Sequence, residues 1–235
     1  MLVHKIKQEL RKNSSKEKAK ILKGFFKTAP GEYGHGDVFL GVSVPHIREI
    51  SKKYRQIDLK SALKLLKSKI HEERLLALIV LVLKFEESGV SGKKKIYGLY
   101  LQYTKYINNW DLVDLTAPNI VGGFLANKDR KVLYRLAKSD SLWERRIAIV
   151  ATLNFIRNNN FADTLKIAKF LLNDEEDLIH KACGWMLREV AKRQKKLVVD
   201  FLSRYHRNMP RVMLRYTIER FPRKEQLRYL LKNRL

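Results

Sequence analysis

The sequence predicts an all-α fold, and three observations indicate it. Apolar residues recur at spacings of three and four along nearly the whole chain, as expected for helices that bury one face. The helical segments are separated by short breaks rich in Gly, Asn, Asp and Pro. Only VFLGVSV, at 38–44, has the composition of a strand; because it has no partner strand, we interpret it as an extended loop.

The helical spacing begins near the start of the chain, where Val3, Ile6 and Leu10 share one side of an amphipathic helix. The predicted helices, in order, are 3–12, 16–27, 46–55, 59–68, 71–85, 93–106, 109–127, 142–157, 161–172, 176–193, 195–206 and 210–234. The predicted breaks are TAPGEYGHGD (28–37), EESGVSG (86–92), NNN (158–160), LNDEED (172–177), Pro210 and Pro222.

A weak internal repeat groups these helices. HEERLLALIVLV, LWERRIAIVATL and DLIHKACGWMLR each have a polar opening turn and then a helix that is apolar nearly all round, as in a buried helix. Ala77, Ala148 and Cys183 take comparable places, 71 and 35 residues apart. A period of about 35 residues is typical of stacked two-helix repeats. We therefore expect one domain over 1–235, a curved superhelical solenoid of degenerate repeats with a basic concave face.

The charge indicates an anionic partner. Forty-nine Lys and Arg oppose 24 Asp and Glu, which gives a net charge of +25 and a pI near 10.1. Nucleic acid is the partner that this excess favours, although a solvated surface without a partner is the alternative. The longest apolar run, at 75–83, is far shorter than a spanning helix, so we expect no membrane association.

Few other chemical groups stand out. Cys183 is the only cysteine, which excludes an internal disulfide and a thiolate zinc site, and the six histidines have no metal-binding spacing with carboxylates. The first residues lack the apolar core of a signal peptide. We expect no metal, no cofactor and an intracellular protein.

The segment NNWDLVDLTAP, at 108–118, places carboxylates beside an indole in this basic chain. Asn109 is a good N-cap, so Asp111 would fall in the first turn and complement the helix dipole. Asp114 lies beyond that effect and, four residues after Trp110, shares its face. Pro118 should kink the helix beside them. The alternative is that Asp114 pairs with an arginine and Trp110 belongs to the core.

The other two tryptophans each precede an arginine by three residues. Trp143 is followed by Arg146, and Trp185 by Arg188. Gly184, inside a predicted helix, indicates a close neighbour, because glycine there costs roughly 1 kcal/mol relative to alanine. The alternative for each tryptophan is a place in the core, where large aromatic residues at helical spacing usually lie.

Taken together, these segments resemble the AlkD-type DNA alkylation repair family, the HEAT-like-repeat DNA glycosylases. The resemblance covers nearly the whole chain and is weakest before residue 30. It is carried by WDxVDxxAP from Trp110, WxxRRxAI from Trp143 and KAxGWxLRE from Lys181, with FLGVSVPHIREI (39–50) and MPRVMLRYTIERFP (209–222) in support.

The resemblance implies removal of cationic alkylated purines, N3-methyladenine and N7-methylguanine, from duplex DNA without base flipping. By position, the family's catalytic aspartate corresponds to Asp114 and its lesion-flanking tryptophans to Trp110 and Trp185. Its backbone-binding arginine corresponds to Arg146, and Arg188 and Lys181 are further candidates to bind DNA.

Two features depart from the family or stay open. Asn109 stands where some members have a second tryptophan. An N-terminal aromatic that completes the site cannot be chosen by alignment, and the candidates are Phe25, Phe26, Tyr33 and Phe39.

These residues suit hydrolysis of an N-glycosidic bond. A cationic purine is already a good leaving group, so the protein must stabilise the electron-poor sugar, which a carboxylate can do while it orients water. We expect a monomeric, cytoplasmic and nucleoid-associated protein that binds double-stranded DNA with alkylated bases. The alternatives are a non-catalytic protein that binds distorted or branched DNA, a helical scaffold for an acidic protein, and an RNA-binding repeat protein.

Overall fold

A computed structural model describes residues 2–231, and the predicted all-α class is confirmed within them. No strand occurs in this range beyond one isolated bridge between Val38 and Ile70, so the stretch predicted to be an extended loop is one. The chain divides into two compact units, with the boundary between Thr116 and Ala117. Superhelical curvature, a basic concave face and a single domain stay predictions.

The first unit is built around one buried helix. Its α-helices are α1 (Leu2–Lys12), α2 (Lys16–Phe25), α3 (Val44–Lys53), α4 (Leu59–Leu66), α5 (His71–Glu87), α6 (Val90–Gln102) and α7 (Trp110–Asp114), with a 3-10 turn at Thr104–Tyr106. α5 is apolar nearly all round and packs against α3, α4 and α6, so most of its side chains are buried. Asp58 caps α4 by accepting a hydrogen bond from the Ser61 amide at 2.8 Å.

Helix α2 is held differently, because none of its residues is buried. Ser15 caps it, and Gly41 of the extended loop packs directly against its start. A Cβ on Gly41 would lie 2.2 Å from the Ser15 carbonyl oxygen, and the φ of +81° also favours glycine there. This close approach brings the end of α2, with Phe25 and Phe26, beside the start of α5.

The second unit begins with a π-helix at Pro118–Gly122. Its α-helices are α8 (Gly123–Leu125), α9 (Lys131–Ala137), α10 (Leu142–Ala151), α11 (Leu153–Arg157), α12 (Ala162–Phe170), α13 (Asp177–Tyr205), α14 (Arg211–Ile218) and α15 (Arg223–Leu231), with a 3-10 turn at Leu171–Asn173. α13 packs on α10, α12 and α14. Gln194 interrupts α13 with φ −143° and ψ 74°, which confirms the predicted division into two helical segments.

Several predicted boundaries were wrong. α9 was not predicted, the helix predicted at 142–157 is interrupted at Thr152, and the one predicted at 210–234 breaks between Ile218 and Arg223. The end predicted at 234 lies outside the described residues. From 2 to 231, no helix combines the length and the apolar character needed to cross a membrane.

Candidate functional site

The short helix α7 carries Trp110 and Asp114. Asn109 caps it as predicted, with an extended backbone and a side chain that accepts a hydrogen bond from the Trp110 amide at 2.8 Å. Trp110 and Asp114 are both half-buried. One helix over 109–127 with a kink at Pro118 was predicted. The single helix is wrong, because α7 ends at Asp114; the irregularity predicted at Pro118 is present, because a π-helix begins there.

Two hydroxyl groups hold the turn that follows Asp114. Thr116 Oγ1 donates to the Leu112 carbonyl at 2.5 Å, so its one proton is used, and the Tyr100 hydroxyl must donate to Thr116 Oγ1 at 2.9 Å. Burial raises the pKa of Tyr100, the hydrogen bond to Thr116 opposes this, and the negative charge of Asp114 raises it again. The carboxylate of Asp114 therefore lies near a tyrosine that stays a neutral donor.

An aromatic cluster of Phe25, Phe26 and Phe39 lies beside the indole of Trp110. Phe26 stacks on it, with ring centroids 5.2 Å apart and an interplanar angle of 23°, and Phe25 meets it edge-on at 5.8 Å. Phe26 is 6 % exposed and also stacks on buried Phe39, whereas Phe25 is 61 % exposed. Of the four aromatic candidates, Phe25 and Phe26 are thus seen against Trp110. Tyr33 donates to the Phe25 carbonyl at 3.4 Å.

A buried network of charges lies beneath this cluster, and the sequence did not predict it. His71 Nε2 donates to Asp111 Oδ2 at 2.8 Å, and His71 Nδ1 to Asp37 Oδ2 at 3.3 Å. Arg74 donates to the same Asp37 oxygen at 2.7 Å. Asp111 is 8 % exposed, and its other oxygen, Oδ1, accepts a hydrogen bond from the Leu112 amide at 2.8 Å. Asp111 therefore joins His71 to the first turn of α7, in addition to complementing the helix dipole.

The protonation of this network follows from its contacts. Burial disfavours a charged His71, but its hydrogen bonds to Asp111 and Asp37 outweigh burial and raise the pKa of the imidazole. The pKa of Asp37 is lowered, because the hydrogen bond from His71 and the charge of Arg74 outweigh burial. Both groups are therefore stabilised in their charged forms.

The remaining predicted residues lie in the second unit and already contact protein groups. Arg146 is 5 % exposed and donates to the Leu178 carbonyl. Lys181 pairs with Asp177 at 2.5 Å, one turn away, and Arg188 pairs with Glu219. Trp185 is half-buried. Whether Arg146, Arg188 and Lys181 bind DNA stays a prediction.

Gly184 was predicted to make room for a close neighbour, and that neighbour is α14. A Cβ on Gly184 would lie 2.5 Å from Tyr216 Cβ and 2.6 Å from the Met213 carbonyl oxygen. The glycine therefore serves helix packing beside Trp185.

Other chemistry finds little support in the described part of the chain. No group of three or more His, Cys, Asp or Glu side chains in that part could hold a metal ion. Cys183 is buried, and burial raises the pKa of its thiol, so thiolate is disfavoured.

Comparison with known proteins identifies the family of the chain. The family described as DNA alkylation repair enzyme matches residues 6–221. No curated protein matches the sequence. A solved structure described as a predicted DNA alkylation repair enzyme from Enterococcus faecalis shares 17 % identity and a TM-score of 0.69, over 90 % of this chain and 98 % of that one. AlkD2 from Streptococcus mutans shares 16 % identity and a TM-score of 0.57, over 88 % of this chain and 99 % of that one.

At these identities the two solved structures support the fold alone. The family match, which covers nearly the whole chain, shows that this protein belongs to the DNA alkylation repair enzyme family.

Proposed function

We propose that the protein is a monofunctional DNA glycosylase that hydrolyses the N-glycosidic bond of cationic alkylated purines, N3-methyladenine and N7-methylguanine, in duplex DNA. The observation that carries the proposal is that Trp110 and Asp114, four residues apart, lie on the same short helix α7. This helix is held before its first turn by Asn109 and after its last by Thr116 and Tyr100. The net charge of +25 favours binding of the DNA polyanion, and the carboxylate and indole on α7 suit a cationic alkylated nucleotide within that DNA.

The carboxylate of Asp114 has two tasks in this reaction. As the alkylated base leaves with the bonding electron pair and becomes neutral, positive charge develops on the sugar, and Asp114 stabilises that charge. The same carboxylate accepts a hydrogen bond from the water that attacks the anomeric carbon, and takes up its proton as the new C–O bond forms. No general acid is needed, because the leaving group is already cationic.

The aromatic residues supply the rest of the local environment. The face of Trp110 favours a nearby cation, and its bulk excludes water, which strengthens the interaction of Asp114 with the sugar. Phe26 stacks on one face of the indole and so restricts its orientation. Phe25, exposed beside it, is the N-terminal aromatic best placed to contact the DNA.

The roles in the second unit rest on the family resemblance. Trp185 is proposed as the second lesion-flanking indole, and Arg146, Arg188 and Lys181 as groups that bind the DNA backbone. For the arginines, this role requires that each binds phosphate in addition to, or in place of, its protein partner. We further propose that the protein acts as a monomer in the cytoplasm, associated with the nucleoid, and that the lesion is excised without base flipping.

The test is release of free N7-methylguanine and N3-methyladenine from methylated duplex DNA. Asp114→Asn should lower the excision rate constant by about a hundredfold or more, because it removes the charge that opposes the developing cation. The same variant should bind duplex DNA at least as tightly as the parent, since one negative charge facing the phosphates is lost.

Asp163→Asn is a matched control. Asp163 accepts hydrogen bonds from Arg130 and Tyr134, both at 2.6 Å, and it is not a proposed site residue. This variant should keep the parental excision rate. A parent that binds distorted duplex yet releases no methylated base would instead support the non-catalytic DNA-binding alternative.

A further inference from the structure

The first turn of α5 is the most densely charged buried segment of the first unit. His71, Glu72, Glu73 and Arg74 follow one another, and each is at most 3 % exposed. Burying an unpaired charge is costly, so each must find partners. Glu72 accepts from backbone amides of the extended loop, the shortest at 2.8 Å to Gly41, and Glu73 pairs with Lys7 of α1 at 2.7 Å. The start of α5 therefore anchors the surrounding elements.

His71 links this anchor to α7. Its two ring nitrogens face two different carboxylates, Asp111 on α7 and Asp37 in the loop before α3. An ionised carboxylate only accepts hydrogen bonds, so a nitrogen that bonds to one must carry a proton. Both nitrogens can be satisfied only in the imidazolium, because a neutral ring would direct a lone pair at a carboxylate. The contacts of the two ring nitrogens therefore favour the charged imidazolium over the neutral imidazole.

The charges around the ring agree with this assignment. Arg74 and protonated His71 supply two positive charges, and Asp37 and Asp111 supply two negative charges. Glu72, beside His71 on the same helix, is occupied by the loop amides. Loss of the imidazolium proton would leave a net negative charge among side chains that are largely buried, which is unfavourable.

The same ring is packed against the aromatic cluster. The ring centroid of Phe39 lies 4.6 Å from that of His71, and the ring centroid of Phe26 lies 5.0 Å from it. The electron-rich faces of the two phenyl rings favour the imidazolium over the neutral imidazole. Phe26 is also the residue stacked on Trp110. His71 therefore reaches α7 by two routes: directly through Asp111, and through Phe26 to the indole.

Helix α7 depends on such support. It has five residues, and a helix of that length is not stable by itself. Its first turn carries Trp110 and Asp111, and its last residue is Asp114. A small rotation of the first turn would move both the indole and the carboxylate.

We propose that His71 is a positioning residue: as an imidazolium that bridges Asp37 and Asp111, it holds α7 so that Trp110 and Asp114 meet the sugar in the productive orientation. This role rests on the proposed function, since it deepens the account of the same site. His71 does not touch the substrate. Excision then depends on a buried proton on His71, although the reaction itself needs no proton donor.

The expected pH dependence has a definite sign. The imidazolium is present at pH values below its raised pKa, and its contacts with Asp111 and Asp37 are then intact. As pH rises through that value, the ring loses its proton and the Asp111 contact or the Asp37 contact is lost. The excision rate constant should fall on this alkaline side, while DNA affinity, which phosphate contacts dominate, should not.

His71→Gln tests the role of the charge. The neutral glutamine amide can donate to Asp111 but cannot take up a further proton and become positively charged. Under single-turnover conditions with saturating protein, His71→Gln should lower the excision rate constant by about tenfold to a hundredfold, because misplacing a catalytic group by about 1 Å can cost up to about a hundredfold. The dissociation constant for methylated duplex should be unchanged, and the alkaline decline of the parent should be absent.

Asp111→Asn keeps the proposal testable if His71→Gln folds poorly. It removes one of the two charges that hold the proton on His71, so the alkaline decline should move to lower pH. Asp163→Asn, which disrupts an ion pair of the second unit, should leave the position of the decline unchanged. A decline at the parental pH in Asp111→Asn would overturn the proposal.

A spectroscopic measurement separates this inference from the proposed function. Nitrogen chemical shifts of the histidine side chains, with His71 assigned by its absence in His71→Gln, should show both ring nitrogens protonated at neutral pH. A neutral imidazole there overturns the proposal whatever the excision data show. If Asp114→Asn abolishes excision but His71→Gln has parental rates and a parental pH profile, the positioning role alone fails. If Asp114→Asn excises like the parent, the proposed function fails, and the role of His71 in it fails too.

Discussion

Gly184 provides the sharpest structural test, because its α-hydrogen faces another helix with no space for a methyl group. It lies in α13, one residue before Trp185, and a Cβ there would lie 2.5 Å from Tyr216 Cβ and 2.6 Å from the Met213 carbonyl oxygen. One contact is backbone and the other is the first atom of a side chain, so neither can rotate away. Gly184→Ala must push α14 from α13.

The sign of the change follows from two opposing effects. Alanine is favoured over glycine inside a helix by about 1 kcal/mol, whereas overpacking a tight interface costs about 1–3 kcal/mol. Contacts of 2.5 and 2.6 Å indicate the upper part of that range, about 2–3 kcal/mol, so the expected net loss is about 1–2 kcal/mol. Gly98 in α6 is the matched control, since a methyl group there would meet no side chain and no other element of the described chain within 4 Å. Gly98→Ala should therefore be stabilising by about 0.5–1 kcal/mol.

Thermal and urea unfolding, followed by circular dichroism, measure both variants. A change of 1 kcal/mol shifts the Tm of a chain of this length by roughly 2–4 °C, so Gly184→Ala should melt several degrees below Gly98→Ala. Equal melting temperatures for the two variants, or a Gly184→Ala protein more stable than the parent, would refute the close packing of α13 and α14.

Two further predictions concern the aromatic cluster and the charge network. Phe25→Ala should lower the excision rate constant but change the free energy of unfolding by no more than about 0.5 kcal/mol, because the ring is mostly exposed. Phe26→Ala should destabilise the protein by about 3–5 kcal/mol, because that ring is buried. Excision assays and urea unfolding measure both variants. The Tm should also depend on pH in two ways. His71 has a folded-state pKa above the ordinary 6.5, so its contribution is complete below that value and is lost as pH rises through the folded pKa. Asp37 has a folded-state pKa below the ordinary 3.8, so its contribution is present above that value and is lost as pH falls through the folded pKa. Thermal unfolding as a function of pH measures both: the Tm of the parent should fall as pH rises through the folded pKa of His71, and His71→Gln should lack that fall. An equal alkaline fall of the Tm in the parent and in His71→Gln would contradict the statement on His71.

The parts of the fold that could be predicted are those that local chemistry decides. Asn109 precedes an apolar helical pattern and has a side chain suited to capping, and it caps α7. Pro118 lacks the amide that a continuous helix requires, and α7 ends before it. The glycine at 184 signalled a close neighbour, although only the structure identifies α14 as that neighbour.

The parts that could not be predicted depend on contacts between distant residues. His71 and Asp111 are 40 positions apart, and no local rule pairs them. A signal was nevertheless present: a helix that is apolar all round is buried from its first turn, so the charges that open α5 had to find buried partners. α9 has only seven residues and Arg130 at its N-cap, which offers no capping signal. The spacing of Trp143 and Arg146 gives no information on burial, and Arg146 proves to be buried.

Whether Asp114 is the catalytic carboxylate is decided by the single-turnover release of free N7-methylguanine from methylated duplex DNA by the parent, Asp114→Asn and Asp163→Asn. The parent and Asp163→Asn should release the base, whereas Asp114→Asn should lose about a hundredfold or more of the excision rate constant with DNA binding intact. Release at the parental rate by Asp114→Asn would exclude that role.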